Sequence, residues 1–180
     1  MAQGAAELAI RALKPGDDLK ISLGDRAFTP LKTFLCRHAT PYEARSLART
    51  YVLVDAECLE TTARVWGYVT LVASEVQTCD RVRPPQDVHW PSGYSVPAVK
   101  LARMAVDKSM RGQGLGSQLV DFAIAISVSI SEHVGCRLLV TDAKQSAVKF
   151  YEKAGFTMLD TPGNLEKSAP AMFVELPKLK

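Results

Sequence analysis

Val99–Gly116 reads VKLARMAVDKSMRGQGLG, and three segments follow one another in it. Val99–Val106 is a short apolar run with the look of a buried strand. Asp107–Met110 is a polar turn. Arg111-Gly112-Gln113-Gly114-Leu115-Gly116 is a glycine-rich turn that opens directly into a long apolar-periodic segment, read as a helix. Strand, glycine turn and helix start together form a device for holding phosphate. The first backbone N–H groups of a helix lack partners, the dipole adds partial positive charge there, and glycine lets a ligand approach the main chain.

Spacing separates the proteins that use this device. A P-loop ends in Gly-Lys-Ser/Thr, whereas Gly116 is followed by Ser117-Gln118. A dinucleotide fold wants GxGxxG and an acid about 20 residues on, at the end of the next strand. Here the glycines run GxGxG, and Glu132 falls inside the expected helix. What is left, Arg-x-x-Gly-x-Gly after a strand ending in Ala-Val-Asp, closely resembles the pyrophosphate loop of the GCN5-related N-acetyltransferases (GNAT), which bind acetyl-CoA. A second motif lies downstream. Phe150-Tyr151-Glu152-Lys153-Ala154-Gly155-Phe156 follows an expected strand, Leu138–Thr141, and helix, Gln145–Ala154. FYxxxGF in that position resembles the same family's second hallmark, whose tyrosine sits near the cofactor sulfur. Phe150 and Phe156 read as core aromatics beside a left-handed cap at Gly155. Tyr151 lies about 100° around the helix from Phe150 and is free to face elsewhere.

The resemblance implies a single acetyltransferase domain over residues 1–180. Its fold would be α/β (α+β): a central mixed, mostly antiparallel twisted sheet flanked by helices, splayed between the strand at 99–106 and the strand at 138–142. It implies that the amides of Arg111, Gly112, Gln113, Gly114, Leu115 and Gly116 hold the coenzyme diphosphate, with the Arg111 guanidinium adding charge. The main chain of Met104, Ala105 and Val106 would pair with the pantetheine arm, one amide polarising the thioester carbonyl. Tyr151 would protonate the leaving sulfur. No carboxylate or histidine stands out as a general base. That suits an acceptor whose amine is already partly neutral: a free α-amine has a pKa near ~8 against ~10.4 for lysine, and an aminoacyl ester lowers it further.

Three collinear segments sharpen the resemblance. Leu31–Ala39 (LKTFLCRHA), Ala48–Asp55 (ARTYVLVD) and Val96–Asp107 (VPAVKLARMAVD) look like the acetyltransferase toxins of bacterial toxin–antitoxin pairs. Ser22-Leu23-Gly24 stands where those toxins carry Phe/Asp-Cys-Gly, and Val140-Thr141-Asp142-Ala143 where a histidine-bearing strand is common. Such toxins acetylate the amino acid on charged tRNA. The implied partners are therefore charged tRNA, a ribbon-helix-helix antitoxin and a second copy in a homodimer. The other acceptors open to the family are a small-molecule amine or a protein N-terminus, and a third class is a non-catalytic acyl-CoA-binding module. On the acceptor side, Arg45 and Arg49 are expected to share a helix face with phosphate in reach, a pattern a merely solvated basic face also gives. Arg103 shares a strand face with Leu101 and Ala105, so it meets a buried acid or lines the cleft. Trp90 belongs to a Pro-rich loop, Thr78–Pro97, expected to lie over the acceptor cleft.

Composition sets wider bounds. At 180 residues, 47% hydrophobic and 23% charged, the chain is an ordinary globular one. No apolar run approaches a membrane span, and Met1–Gly16 has no signal-peptide core. Cys36, Cys58, Cys79 and Cys136 show no CxxC spacing and read as free thiols of the cytoplasm; the three histidines give no metal pattern. The net charge of +3 suits an anionic cofactor or RNA without arguing for either. Along the rest of the chain, Leu8–Leu13, Tyr51–Val54, Arg64–Val76, Phe156–Leu159 and Ala171–Leu176 read as strands. Asp17-Asp18 would cap a helical turn, and Pro30–His38 is a helix that Pro41 interrupts. The large helix carries Leu115, Leu119, Phe122, Ala123, Ile126, Ile130 and Val134 on one face and ends at Gly135. Thr161–Pro170 reads as turn.

Overall fold

A computed structural model of the chain describes residues 7–79, 82, 88–91 and 93–177. The strands are β1 (Leu8–Ala12), β2 (Arg49–Asp55), β3 (Gly67–Gln77), β4 (Ser95–Val106), β5 (Leu138–Asp142), β6 (Thr157–Met158) and β7 (Ala171–Glu175). They form a seven-stranded sheet in the order β1-β2-β3-β4-β5-β7-β6. The helices are α1 (Thr29–Thr33), α2 (Ala39–Ala44), α3 (Leu115–Ser131), α4 (Val148–Lys153) and α5 (Pro162–Leu165). The chain divides into two compact units, Met1–Leu71 with Arg103–Phe122, and Val72–Ala102 with Ala123–Lys180.

In the first unit, β2 pairs antiparallel with β1 and with β3, which puts Thr50 opposite Thr70 with their buried hydroxyls 3.0 Å apart. The apolar side chains of Val52, Val54, Val65 and Tyr68 meet Phe34, Leu35 and Ala39 from the helical stretch in one core. Pro41 does not interrupt that stretch. Between α1 and α2, Phe34–His38 forms a π turn whose Ala39 N–H reaches back to Phe34 O. This wider turn shifts the bonding ahead of Pro41, which has no N–H to give. The helix ends instead at Ala44, and Ser46, a non-glycine residue at φ 56°, turns the chain after it. No helical turn follows Asp17-Asp18 either. Asp17 is buried and accepts both guanidinium nitrogens of Arg11, at 2.9 and 2.7 Å, as well as the amides of Lys14 and Ala63. Arg64 meets Asp18 in an isolated bridge, so β3 starts three residues later than expected, at Gly67.

In the second unit, β4 and β5 run parallel from Ala98↔Leu138 to Leu101↔Thr141, and β7 pairs antiparallel with both β5 and β6. The parallel ladder ends at Leu101 although β4 continues to Val106, the point where the sequence reading places the splay. β4 also begins earlier than expected. Ser95–Pro97 are strand rather than loop, and Pro97 contributes its carbonyl to the Arg137 amide. Of the remaining loop, residues 80, 81, 83–87 and 92 lie outside the described residues, and with them the expectation that it covers a cleft. α5 occupies part of Thr161–Pro170, where the buried Asn164 amide bonds Leu159 O and both backbone groups of Ala171.

α3 ends at Ser131, four residues before Gly135, and Val134 lies beyond it, 62% exposed. Leu115, Leu119, Val120, Ala123 and Ser127 are its buried positions, the Ser127 hydroxyl being satisfied by Ala123 O at 2.7 Å. Among the described residues, no helix is long and apolar enough to cross a membrane.

Candidate active site

The glycine turn belongs to the first unit. Before it, Asp107 is 2% exposed and anchors the turn: its carboxylate accepts Ser22 N at 2.8 Å and, from Ser109, the amide at 2.9 Å and the hydroxyl at 2.7 Å. Burial alone would raise its pKa; the bonds from Ser22 and Ser109 outweigh that and hold the carboxyl below its ordinary value. The Asp107 and Lys108 amides donate to Trp66 O and Ser22 O, both at 2.7 Å, so the approach to the turn is clamped.

Past this clamp, residues 111–114 are exposed. Gly112 and Gly114 sit at φ 80° and 77°, where a side chain is strained, and a Cβ added to either would meet nothing within 4 Å. The turn is thus a bare, curled stretch of main chain. Gln118 is the first α3 residue to bond back, to Gly114 O at 3.2 Å, so the amides just before it, of Leu115, Gly116 and Ser117, have no intrahelical partner. Free amides, a helix dipole and open space above two glycines fit a diphosphate. The Arg111 guanidinium is engaged differently from the expectation. It donates to Leu23 O at 2.8 Å and Val106 O at 3.4 Å and lies 5.5 Å from the Phe28 ring, so it ties the turn to the strand before it.

That strand segment is the other half of the site in this unit. Ala102–Val106 are half-buried, whereas Ala98, Val99 and Leu101 are buried. Gly67 presses on it so closely that a Cβ there would stand 3.1 Å from Ala105 O. Met104, Ala105 and Val106 therefore present backbone on a strand held from behind. Among the described residues Arg103 meets no buried acid. Its guanidinium carbon lies 4.0 Å from the Phe34 ring centroid, and it lines a cleft of about 650 Å³ with Arg26, Thr33, His38 and Tyr42. Arg45 and Arg49 do not share a helix face. Arg45 bonds Pro41 O just after α2, Ser46 turns the chain, and Arg49 opens β2. Both are exposed.

In the second unit, Trp90 is half-buried and its indole N–H donates to Tyr94 O at 3.4 Å. Tyr151 and Phe150 exchange the positions expected of them. Tyr151 is 7% exposed, with ring centroids of Phe150 at 5.1 Å and Phe156 at 5.3 Å, while Phe150 is half-buried. The helix is short and is entered through a 3-10 turn at Gln145–Ala147, so the face counted from sequence is rotated. Burial raises the phenol's pKa, and a hydrogen bond with Thr141 only partly offsets this. Thr141 in turn donates to Leu101 O at 3.0 Å, which places the phenol's partner at the last rung of the parallel ladder. Sequence reasoning passed over Asp107 and Thr141. Asp107 had a signal, an Asp-x-Ser cap ahead of the turn; Thr141 had none, because its role depends on strand register. Among the described residues, no three His, Cys, Asp or Glu side chains group as a metal site.

Residues 58–158 match the acetyltransferase (GNAT) domain family. The chain belongs to the GNAT acetyltransferases. This GNAT enzyme is 31% identical over 120 residues to a tRNA-acetylating toxin of Mycobacterium tuberculosis, covering 65% of this chain and 70% of that protein. Among solved structures it is similar to a tyrosine-to-phenylalanine mutant of the AtaT toxin bound to the C-terminus of the antitoxin AtaR and acetyl-CoA. That match has 27% identity and a TM-score of 0.73 over 94% of this chain and 93% of that one. AtaT complexed with acetyl-methionyl-tRNAfMet matches at 28% identity and a TM-score of 0.76, over 94% and 95%. The mixed sheet with flanking helices is thus the GNAT fold, and the enzyme is a homologue of tRNA-acetylating toxins.

Proposed function

We propose that this enzyme transfers acetyl from acetyl-CoA to the α-amino group of an aminoacyl-tRNA. The observation that carries the acceptor is the likeness, along nearly the full length of both chains, to a toxin held with acetyl-methionyl-tRNA. Acetyl-CoA supplies the activated thioester. The amides from Arg111 to Gly116 bind its diphosphate, as the open turn at Gly112 and Gly114 supports. The backbone of Met104, Ala105 and Val106 orients the arm, and an N–H fixed on that strand stabilises charge growing on the carbonyl oxygen more than it stabilises the ground state. Tyr151 holds a proton on Oη for the departing sulfur; its raised pKa keeps that proton in place at neutral pH. No side chain is needed to deprotonate an α-amine weakened by its ester. Arg45, Arg49, Arg103 and Trp90 act on the acceptor side.

Residues 1–180 work as one acetyltransferase domain in the cytoplasm, where charged tRNA and acetyl-CoA are found. The AtaT structure with the AtaR C-terminus supports an antitoxin partner, which we assign to the ribbon-helix-helix class, and the working form is a homodimer. Light scattering after size exclusion reads the dimer directly. The decisive experiment incubates the protein with labelled acetyl-CoA and total charged tRNA. Label on the aminoacyl moiety is the expected result. Label only on free amines or protein N-termini moves the acceptor to the general GNAT reading, and no label on any amine removes the activity.

A further inference from the structure

Arg103 is half-buried, and among the described residues its guanidinium makes no ion pair and no hydrogen bond. Such a group carries its donors in a rigid planar fork, and removing them from water without partners is unfavourable. Here the guanidinium carbon lies over the ring of Phe34, itself 3% exposed, and the side chain borders the 650 Å³ cleft. Among the described residues no carboxylate lines that cleft; Arg26, Thr33, His38 and Tyr42 give it positive charge, hydroxyls and rings. The Tyr42 ring stands edge-on to Phe34 at 5.5 Å, and His38 lies 6.1 Å from Tyr42. Arg111, further along the same chain segment, has its fork closed by two carbonyls. The Arg103 fork is not closed in that way among the described residues.

We propose that Arg103 is an oxyanion clamp of the acceptor site, gripping with both fork nitrogens an anionic group carried close to the amine that is acetylated. The proposal rests on acetyl transfer to charged tRNA. Two parts of such an acceptor carry an oxyanion: the phosphodiester joining its last two nucleotides, and the side-chain carboxylate of an acidic amino acid. The size of the cleft and its exposed rings, ready to stack on a base, favour the phosphodiester.

The test titrates the full chain by NMR with the dinucleotide CpA, which has one phosphodiester and no amino acid, and with adenosine, which has none. Arg103→Gln should weaken CpA binding about tenfold or more, leave adenosine unchanged and lower the salt dependence of CpA binding by about one counterion. Arg103→Lys should fall between, since it keeps charge without the fork. In parallel, acetylation of aspartyl- and glutamyl-tRNA is compared with that of neutral aminoacyl-tRNAs. Should Arg103→Gln leave CpA binding intact but erase a preference for the acidic pair, the clamp stands with the carboxylate as its anion. If Arg103→Gln and Arg103→Lys match the wild type in both assays, or if adenosine and CpA weaken together, the clamp is overturned. A wild type that binds CpA through Arg103 and acetylates no charged tRNA removes the proposed function while leaving the clamp in place. Both variants should keep the wild-type acetyl-CoA affinity and a thermal midpoint within a few degrees of wild type, which separates a lost clamp from a lost fold.

Discussion

The corner around Arg11 and the cleft around Arg103 lie in the same unit and treat the same side chain in opposite ways. Arg11 is 8% exposed, and its guanidinium is fully engaged: it pairs with both oxygens of Asp17 and donates to Ala12, Cys58 and Thr61 carbonyls. Arg103 has a ring beneath it and open cleft beside it. A buried charge with every donor answered fixes local geometry. One held half-buried with none answered is poised for a partner that the chain does not supply.

The largest expected effect breaks the Arg11 side of this contrast. Arg11→Gln strands Asp17, whose side chain is 0% exposed, and should cost about 3–5 kcal/mol in urea unfolding. Next comes a buried polar group to which we assign a chemical role. Tyr151→Phe should lower kcat about 10²–10⁴-fold with acetyl-CoA affinity intact, yet change stability by only about 1 kcal/mol, because one hydroxyl is lost. Equal losses in activity and stability would make Tyr151 structural, like Arg11. Gly114→Ala, at φ 77°, should add about 1–2 kcal/mol of strain, read as a raised KM for acetyl-CoA.

The pH dependence sharpens the same contrast. For Asp17, burial raises the pKa, but the Arg11 guanidinium and the amides of Lys14 and Ala63 outweigh it, and the net shift is downward. Asp107 is also held low. The stability these carboxyls add is therefore complete above their unfolded value, about pH 4, and is lost as pH falls through their folded values. The unfolding midpoint should be flat from neutral pH down to that point and then drop. The drop should be shallower in Arg11→Gln, from which most of the Asp17 contribution is already gone. Smallest of all, Arg103→Gln should move stability by no more than about 1 kcal/mol, the worth of its contact with Phe34.

The glycine turn, the strand before it, the large helix after it and the FYxxxGF segment were legible in the chain, because each rests on local rules. Glycine alone relieves a positive φ, a helix start leaves amides open whatever surrounds it, and apolar period separates strand from helix. Burial and partnership were not legible. Sequence spacing turned Tyr151 outward and buried Phe150, whereas packing against Phe156 and Thr141 decided the reverse. A π turn carried the helix past Pro41, and a left-handed Ser46 then parted Arg45 from Arg49.

By itself, then, the sequence determined that a bare glycine turn follows a strand and opens a helix, since that needs only neighbours in the chain. Which charged side chains are satisfied was decided by tertiary structure alone. Arg11 finds Asp17 six residues away and carbonyls some fifty residues away, while Arg103 finds the face of Phe34, and neither fate is written in the residues beside them.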